Sequence, residues 1–249
     1  MYEFKDRVRY SETDEHGECT ITALVNYLQD CATFHSHDSG LGIECLKEMK
    51  RAWLLSGWDI YIARFPFLGE RITVGTSPHP VKGILVDRDL WVRSDDKGDY
   101  ILKAHSLWFA FDTERMRPVR ITEDLIKPFG ELRDFLMLPQ SDRKIILPQD
   151  MQETAPVTVT AHMIDSNHHM NNAQYIAAAD ETLAMLQDGR RRFHSGRIRA
   201  EYKKPAMLND ILIPYYGRTE NGMIVSLRGT DGGIYANVEM TRNAADERN

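Results

Sequence analysis

The stretch Thr158-Val159-Thr160-Ala161-His162-Met163-Ile164-Asp165, followed by a polar run and a helical pattern from about Asn172 to Gln187, repeats an earlier passage of the chain. That passage is Val8-Arg9-Tyr10-Ser11-Glu12-Thr13-Asp14, a short polar stretch, and a helical run from Ile21 to Ser39. In the first helical run Leu24, Tyr27, Leu28, Cys31 and Phe34 recur at steps of three and four, the stripe of an amphipathic helix. Asn26-Tyr27-Leu28-Gln29-Asp30 lines up with Gln174-Tyr175-Ile176 and Asp180 in the second.

The repeat continues outward. Asp59-Ile60-Tyr61-Ile62-Ala63-Arg64-Phe65-Pro66 leads to Gly69-Glu70 and a strand from Arg71; Arg199-Ala200-Glu201-Tyr202-Lys203-Lys204-Pro205 leads to Asn209-Asp210 and a strand from Ile211. Each copy then gives two further β-rich runs, Leu85 to Val92 and Tyr100 to Phe111 in the first, Met223 to Arg228 and Gly233 to Met240 in the second. Gly98-Asp99, Asn221-Gly222 and Asp231-Gly232-Gly233 supply the turns. A half of about 100 residues struggles to bury both its helix and its sheet alone, so pairing the sheets edge to edge is the expected solution. The alternative is two unrelated α+β domains. The reading divides the chain into repeats at 1–118 and 155–249, joined by a linker at 119–154 that carries Pro128, Pro139 and Pro148.

Composition sets outer limits. The chain has 249 residues, 42% of them hydrophobic and 27% charged, which excludes disordered and collagen-like chains. The formal net charge of −6 argues against nucleic acid as a partner. No apolar run is long enough to span a bilayer, and the charged start Met1-Tyr2-Glu3-Phe4-Lys5 lacks a signal core, so no membrane association is expected. Cys19, Cys31 and Cys45 are odd in number and too few for a disulfide scaffold. A cytoplasmic location follows as the expectation.

Asp165-Ser166-Asn167-His168-His169-Met170-Asn171-Asn172, with Tyr175-Ile176 after it, is similar to the Asp-x-Asn-x-His-x-Asn-Asn signature of the acyl-ACP thioesterases of bacteria and plant plastids. Leu24 to Gly40 resembles that family's first helix. The resemblance implies an α+β fold, a double (tandem) hotdog in which two antiparallel-sheet-plus-central-helix repeats form one pseudo-dimer. It implies hydrolysis of fatty acyl thioesters on acyl carrier protein, releasing free fatty acid, with the first repeat holding the acyl chain and the second catalytic. No metal or redox cofactor is implied. A pseudo-dimer within one chain removes the need for a homodimer without forbidding one.

Breaking a thioester needs a water nucleophile, a base and donors for the oxyanion. His169 is the natural base, because imidazole titrates near neutral pH. Asp165 is expected to orient its ring and Asn167 to position water or the carbonyl. The helix start at Asn171 and Asn172 is expected to offer N–H groups to the substrate. The competing reading is that Asp165, Asn167, Asn171 and Asn172 merely cap the second helix. At the matching positions the first half has Asp14, His16 and Glu18, so the signature is absent there.

One departure stands out. Plant members carry a Glu-Cys pair, with catalytic roles assigned to both, where this chain has Pro205 and Ala206. A cysteine nucleophile is thereby excluded, and attack by His169-activated water remains. Trp53, Trp58, Met49 and Leu54-Leu55 are candidates to line the acyl chain, or else plain core. Arg190, Arg191, Arg192, Arg197, Arg199, Lys203 and Lys204 face a single acid, Glu201, in this stretch, a basic island suited to docking an acidic carrier or the phosphates of coenzyme A, or else a solvated edge. His162, His168 and His169 lack zinc-type spacing, and no Gly-x-Ser-x-Gly occurs. An acyl-CoA thioesterase of the same fold, and a non-catalytic acyl-thioester binding or regulatory module, are the alternatives.

Overall fold

The computed structural model describes residues 1–132, 137–138, 144–186, 193, 195–220 and 222–242. The chain divides into two compact units, one of residues 1–58 and 65–140, the other of residues 59–64 and 141–249.

The first unit contains β1 (Tyr2–Arg7), α1 (Ile21–Asp38), the short α2 (Ile43–Glu48), β2 (Arg51–Ile62, whose end belongs to the second unit), β3 (Arg71–Pro78), β4 (Leu85–Ser94), β5 (Tyr100–Asp112) and β6 (Arg117–Val119). Its antiparallel ladders run β1-β3-β4-β5, with β6 on β5. α1 begins at Thr20, whose hydroxyl accepts from the Ala23 N–H, an N-cap in place of the missing intrahelical partner. It lies on β1, β3 and β4 and buries Leu24, Val25, Leu28 and Cys31 completely. Burying each leucine contributes roughly 1.5–3 kcal/mol. Trp91 on β4 crosses so close to Gly75 on β3 that a Cβ there would fall 2.1 Å from the indole, which is why the strand carries glycine.

The second unit contains β7 (Gln152–Glu153), β8 (Val157–Thr158), α3 (Asn172–Met185), β9 (Gly196–Tyr202), β10 (Ile211–Arg218), β11 (Met223–Arg228) and β12 (Ile234–Arg242). The ladders run β9-β12-β11-β10, with β7 and β8 both on β10. α3 lies on β10, β11 and β12 and buries Ala173, Tyr175, Ile176, Ala179 and Leu183. Both units are therefore a helix on an antiparallel sheet, the hotdog arrangement.

The helices correct the alignment made from sequence. Counted from their caps, Thr20 and Asn171, Tyr27 stands at the seventh helical position and Tyr175 at the fourth. The Tyr-centred match is displaced by one turn. The matching frame is instead the loop before each helix, where positions correspond at a constant separation from Asp14/Asp165 to Thr20/Asn171.

Candidate active site

The signature forms a closed loop between a one-turn 3-10 helix, Ala161–Met163, and α3. The Asp165 N–H donates to the His169 carbonyl at 2.8 Å, and the His168 N–H returns to the Asp165 carbonyl at 3.0 Å. The Asp165 carboxylate accepts from the Asn167 N–H at 2.8 Å, an Asx turn. His168 adopts a left-handed φ of 62° to let the chain reverse. The Asn171 N–H donates to the Met163 carbonyl, and the Asn171 side chain caps α3 by accepting from the Ala173 N–H, each at 2.8 Å.

This geometry sorts the expected residues. Asp165, Asn167 and His169 are brought into one loop, but Asp165 is engaged with the backbone at Asn167, and the His169 imidazole has no hydrogen-bond partner among the described residues. The part-exposed His169 ring and the exposed Asn167 side chain are thus available to a substrate or to water. Asn171 is a helix cap, and two first-turn N–H groups, those of Ala173 and Gln174, are satisfied by it. The Asn172 carbonyl accepts from the Tyr202 hydroxyl at 2.9 Å.

Two residues beneath the loop were not singled out from sequence. Tyr175, buried in α3, accepts the Ala206 N–H on its hydroxyl at 2.8 Å, while the Ala206 carbonyl accepts from the Met170 N–H at 2.8 Å. Tyr202 packs edge-on against Tyr175, with ring centres 5.5 Å apart. Burial raises the Tyr175 phenol to about 12, so it stays protonated. The stretch Pro205-Ala206 is therefore tied to the signature loop by its backbone, and the departure from the Glu-Cys pair falls at the site. The signal was the tyrosine in the signature's tail, read there as pattern alone.

Among the described residues of the basic island, three are paired with acids. Arg197 forms a bidentate pair with Asp59 at 2.6 and 2.7 Å, and Arg199 pairs with Glu239 at 2.9 Å. Lys203 pairs with Glu201, and Lys204 lies over the Tyr235 ring, 4.9 Å from its centre. Arg190, Arg191 and Arg192 lie outside the described residues. Trp53 packs in the first unit against a cluster of Leu46, Val86, Ala110, Ile121 and Leu125, and its buried indole Nε1 has no partner among the described residues. Among the described residues no group of three or more His, Cys, Asp or Glu side chains is placed to hold a metal ion.

Comparison with known proteins adds to this. The chain is 24% identical over 231 residues to a chloroplastic palmitoyl-acyl carrier protein thioesterase of Gossypium hirsutum, a match covering 88% of this chain and 56% of that one. The chain spans about half the length of the curated relatives it matches. Its fold is that of an acyl-ACP thioesterase from Bacteroides thetaiotaomicron (TM-score 0.81, 23% identity, 96% of each chain covered). It is equally that of a 12:0-ACP thioesterase from Umbellularia californica (TM-score 0.79, 17% identity, 96% of each chain covered). Residues 1–129, more than half of the chain, match the sequence model of the acyl-ACP thioesterase N-terminal domain, and the chain belongs to the acyl-ACP thioesterase family.

Proposed function

We propose that this protein hydrolyses fatty acyl thioesters carried on acyl carrier protein and releases free fatty acid. The observation that carries this reading is the signature loop, which closes on its own backbone and leaves the His169 imidazole without a partner in front of a capped helix. Family membership and the names of the relatives support the substrate class.

In this reading His169 takes a proton from water as it attacks the thioester carbonyl, and later delivers it to the leaving thiolate. Asn167 holds the water or the carbonyl oxygen. Asp165 is a positioning residue that keeps Asn167 and His169 on the same loop through its Asx turn. No carboxylate or thiol at Pro205 or Ala206 takes part, so the water route stands alone. The first unit holds the acyl chain. Carrier docking is assigned to Arg190, Arg191 and Arg192, with Lys203 and Lys204 contributing once their contacts exchange for the carrier's acids. The reading places the protein in the cytoplasm.

The test is thiol release from acyl carrier protein loaded with chains of several lengths, run beside the corresponding acyl-CoA compounds, with His169→Ala as control. Release that is lost in the variant is the expected result. Faster release from coenzyme A would transfer the reading to that carrier. Tight binding without release, unchanged in His169→Ala, would make the protein an acyl-thioester binder and attribute the loss of chemistry to Pro205-Ala206.

A further inference from the structure

The interior of the first unit contains a cation that no carboxylate among the described residues balances. Arg88 on β4 stands opposite Pro78 on β3 and Ser106 on β5, on the sheet face that meets α1, and only 7% of it is exposed. Its Nη1 reaches the Thr76 hydroxyl and His35 Nδ1, each at 3.2 Å, and its guanidinium lies 5.4 Å from the Phe129 ring centre. None of these is an anion. The His35 imidazole, pushed down to about 4 by burial and then by the charge of Arg88, is neutral at pH 7.

The adjacent acids do not help. Strand alternation turns Asp87 and Asp89 to the opposite face, where Asp89 hydrogen-bonds His79 at 3.0 Å and Asp87 lies 3.2 Å from His105. Among the described residues no carboxylate pairs with Arg88, and its Nε and Nη2 make no hydrogen bond. A buried charge without a partner is costly, and such charges in proteins are paired or bind something. Val86, two residues along the same face, belongs to the apolar cluster that includes Trp53 with its unpartnered indole N–H. The same face thus carries an apolar cluster beside a guanidinium that no described carboxylate neutralises.

We infer that the first unit receives an acyl chain whose far end is a carboxylate, bound by the free Nε and Nη2 edge of Arg88. This rests on the reading of the first unit as the acyl-holding half, and it deepens that reading by naming the substrate class as half-thioesters of dicarboxylic acids. The planar fork of arginine suits a two-point contact with carboxylate.

The experiment has two arms. In the first, thermal unfolding of the full chain is followed with free α,ω-dicarboxylic acids and with monocarboxylic acids of equal length. The diacids should raise the midpoint more than the monoacids, and Arg88→Met should abolish the difference. In the second, the preference for carboxyl-ended over methyl-ended thioesters should fall by about 30-fold or more in Arg88→Met, as expected when one member of a buried charge pair is removed. Arg88→Lys keeps the charge but loses the fork, so it should weaken the preference even if the methionine variant does not fold. Equal effects of diacid and monoacid on the wild type, or a preference that survives both substitutions, would overturn the inference. Diacid stabilisation without hydrolysis of any thioester would overturn the hydrolase reading instead and leave this one standing.

Discussion

The loops before the two helices share one backbone and differ in what their side chains do. In the first unit the Asp14 N–H donates to the Glu18 carbonyl and the Gly17 N–H to the Asp14 carbonyl, as Asp165, His169 and His168 do in the second. Asp14 also accepts the His16 and Glu18 N–H groups, the counterpart of the Asx turn at Asp165. The Cys19 N–H reaches the Pro66 carbonyl where Met170 reaches Ala206. Around the first loop, however, an ionic network is closed: Arg9 pairs with Asp6 and Glu12, and Glu12 accepts the Tyr27 hydroxyl at 2.5 Å. The corresponding turn in the second unit is Ala161-His162-Met163; among the described residues it forms no ion pair, and His162 Nδ1 meets the Thr160 hydroxyl at 3.0 Å. In the first loop Glu12, Asp14 and Tyr27 are committed to structure, and the exposed His16 ring lies 3.7 Å from Glu15; the second leaves the His169 imidazole unengaged at the position of Glu18. The backbone is common property, and the difference in function lies in what the side chains are free to do.

The sharpest way to separate the loops is to truncate the equivalent positions. His169→Ala should lower turnover by about 10²–10⁴-fold, the range for a positioned base. Its unfolding free energy should stay within about 0.5 kcal/mol of the wild type, because no described group depends on the imidazole. Glu18→Ala should leave turnover unchanged. Steady-state kinetics and denaturant unfolding of both variants would decide it; comparable losses of turnover would mean that the shared backbone frame, and not the free histidine, carries the activity.

Acid should distinguish the helices next. His35 in α1 is held at about 4 in the folded chain, below its ordinary 6.5, by burial first and by Arg88 second. The unfolded chain therefore binds more protons than the folded one between these values, and stability falls as pH drops from about 6.5 to 4. The stability lost across this range is on the order of 2 kcal/mol, and at neutral pH the term is close to zero. α3 carries no histidine to do the same. Unfolding midpoints across this range should flatten in His35→Gln; an unchanged slope would locate the acid sensitivity elsewhere.

How much of this was legible differs by element. The helix from Ile21 was readable because its apolar stripe, Leu24 to Phe34, repeats for about three turns, and it ends within a residue of the expected place. β1 was not, because as an edge strand it alternates exposed charged residues with part-buried ones and reads as a polar terminus. The signature was legible as spacing, but its hydrogen bonds were not. Nothing in the letters says that Asp165 turns to the Asn167 N–H and not to the His169 ring. The one-turn slip between Tyr27 and Tyr175 arose because helical periodicity repeats each turn and cannot identify the register, whereas the cap can. The basic island looked unbalanced because its acids, Asp59 and Glu239, are distant in sequence and adjacent only in the fold.

Removing the turn carboxylates gives a smaller effect and compares the loops directly. Asp14→Ala breaks two side-chain-to-backbone hydrogen bonds and Asp165→Ala one. At about 1 kcal/mol per bond, the first should cost roughly twice the stability of the second. Only Asp165→Ala should also lower turnover, by releasing the loop that carries Asn167 and His169. Denaturant midpoints paired with initial rates would show whether the two effects separate.

The smallest effect tests the one backbone position where the loops are chemically least alike. Gly17 has φ of 75° and His168 has φ of 62°, so both occupy the left-handed region that costs a side-chain-bearing residue roughly 1–2 kcal/mol. A Cβ on Gly17 would meet no atom within 4 Å, so Gly17→Ala isolates the backbone strain, and a loss of about 1 kcal/mol is expected. His168→Gly removes the same strain from the second loop but gives the unfolded chain the entropy of glycine, and the two terms should nearly cancel. A histidine that stabilised its loop by contacts of its own would make His168→Gly clearly destabilising. Near-equality of His168→Gly with the wild type would instead show that the second loop bears strain where the first has a glycine, on the residue directly before His169. That strain is what a loop kept for chemistry, and not for stability, is expected to retain.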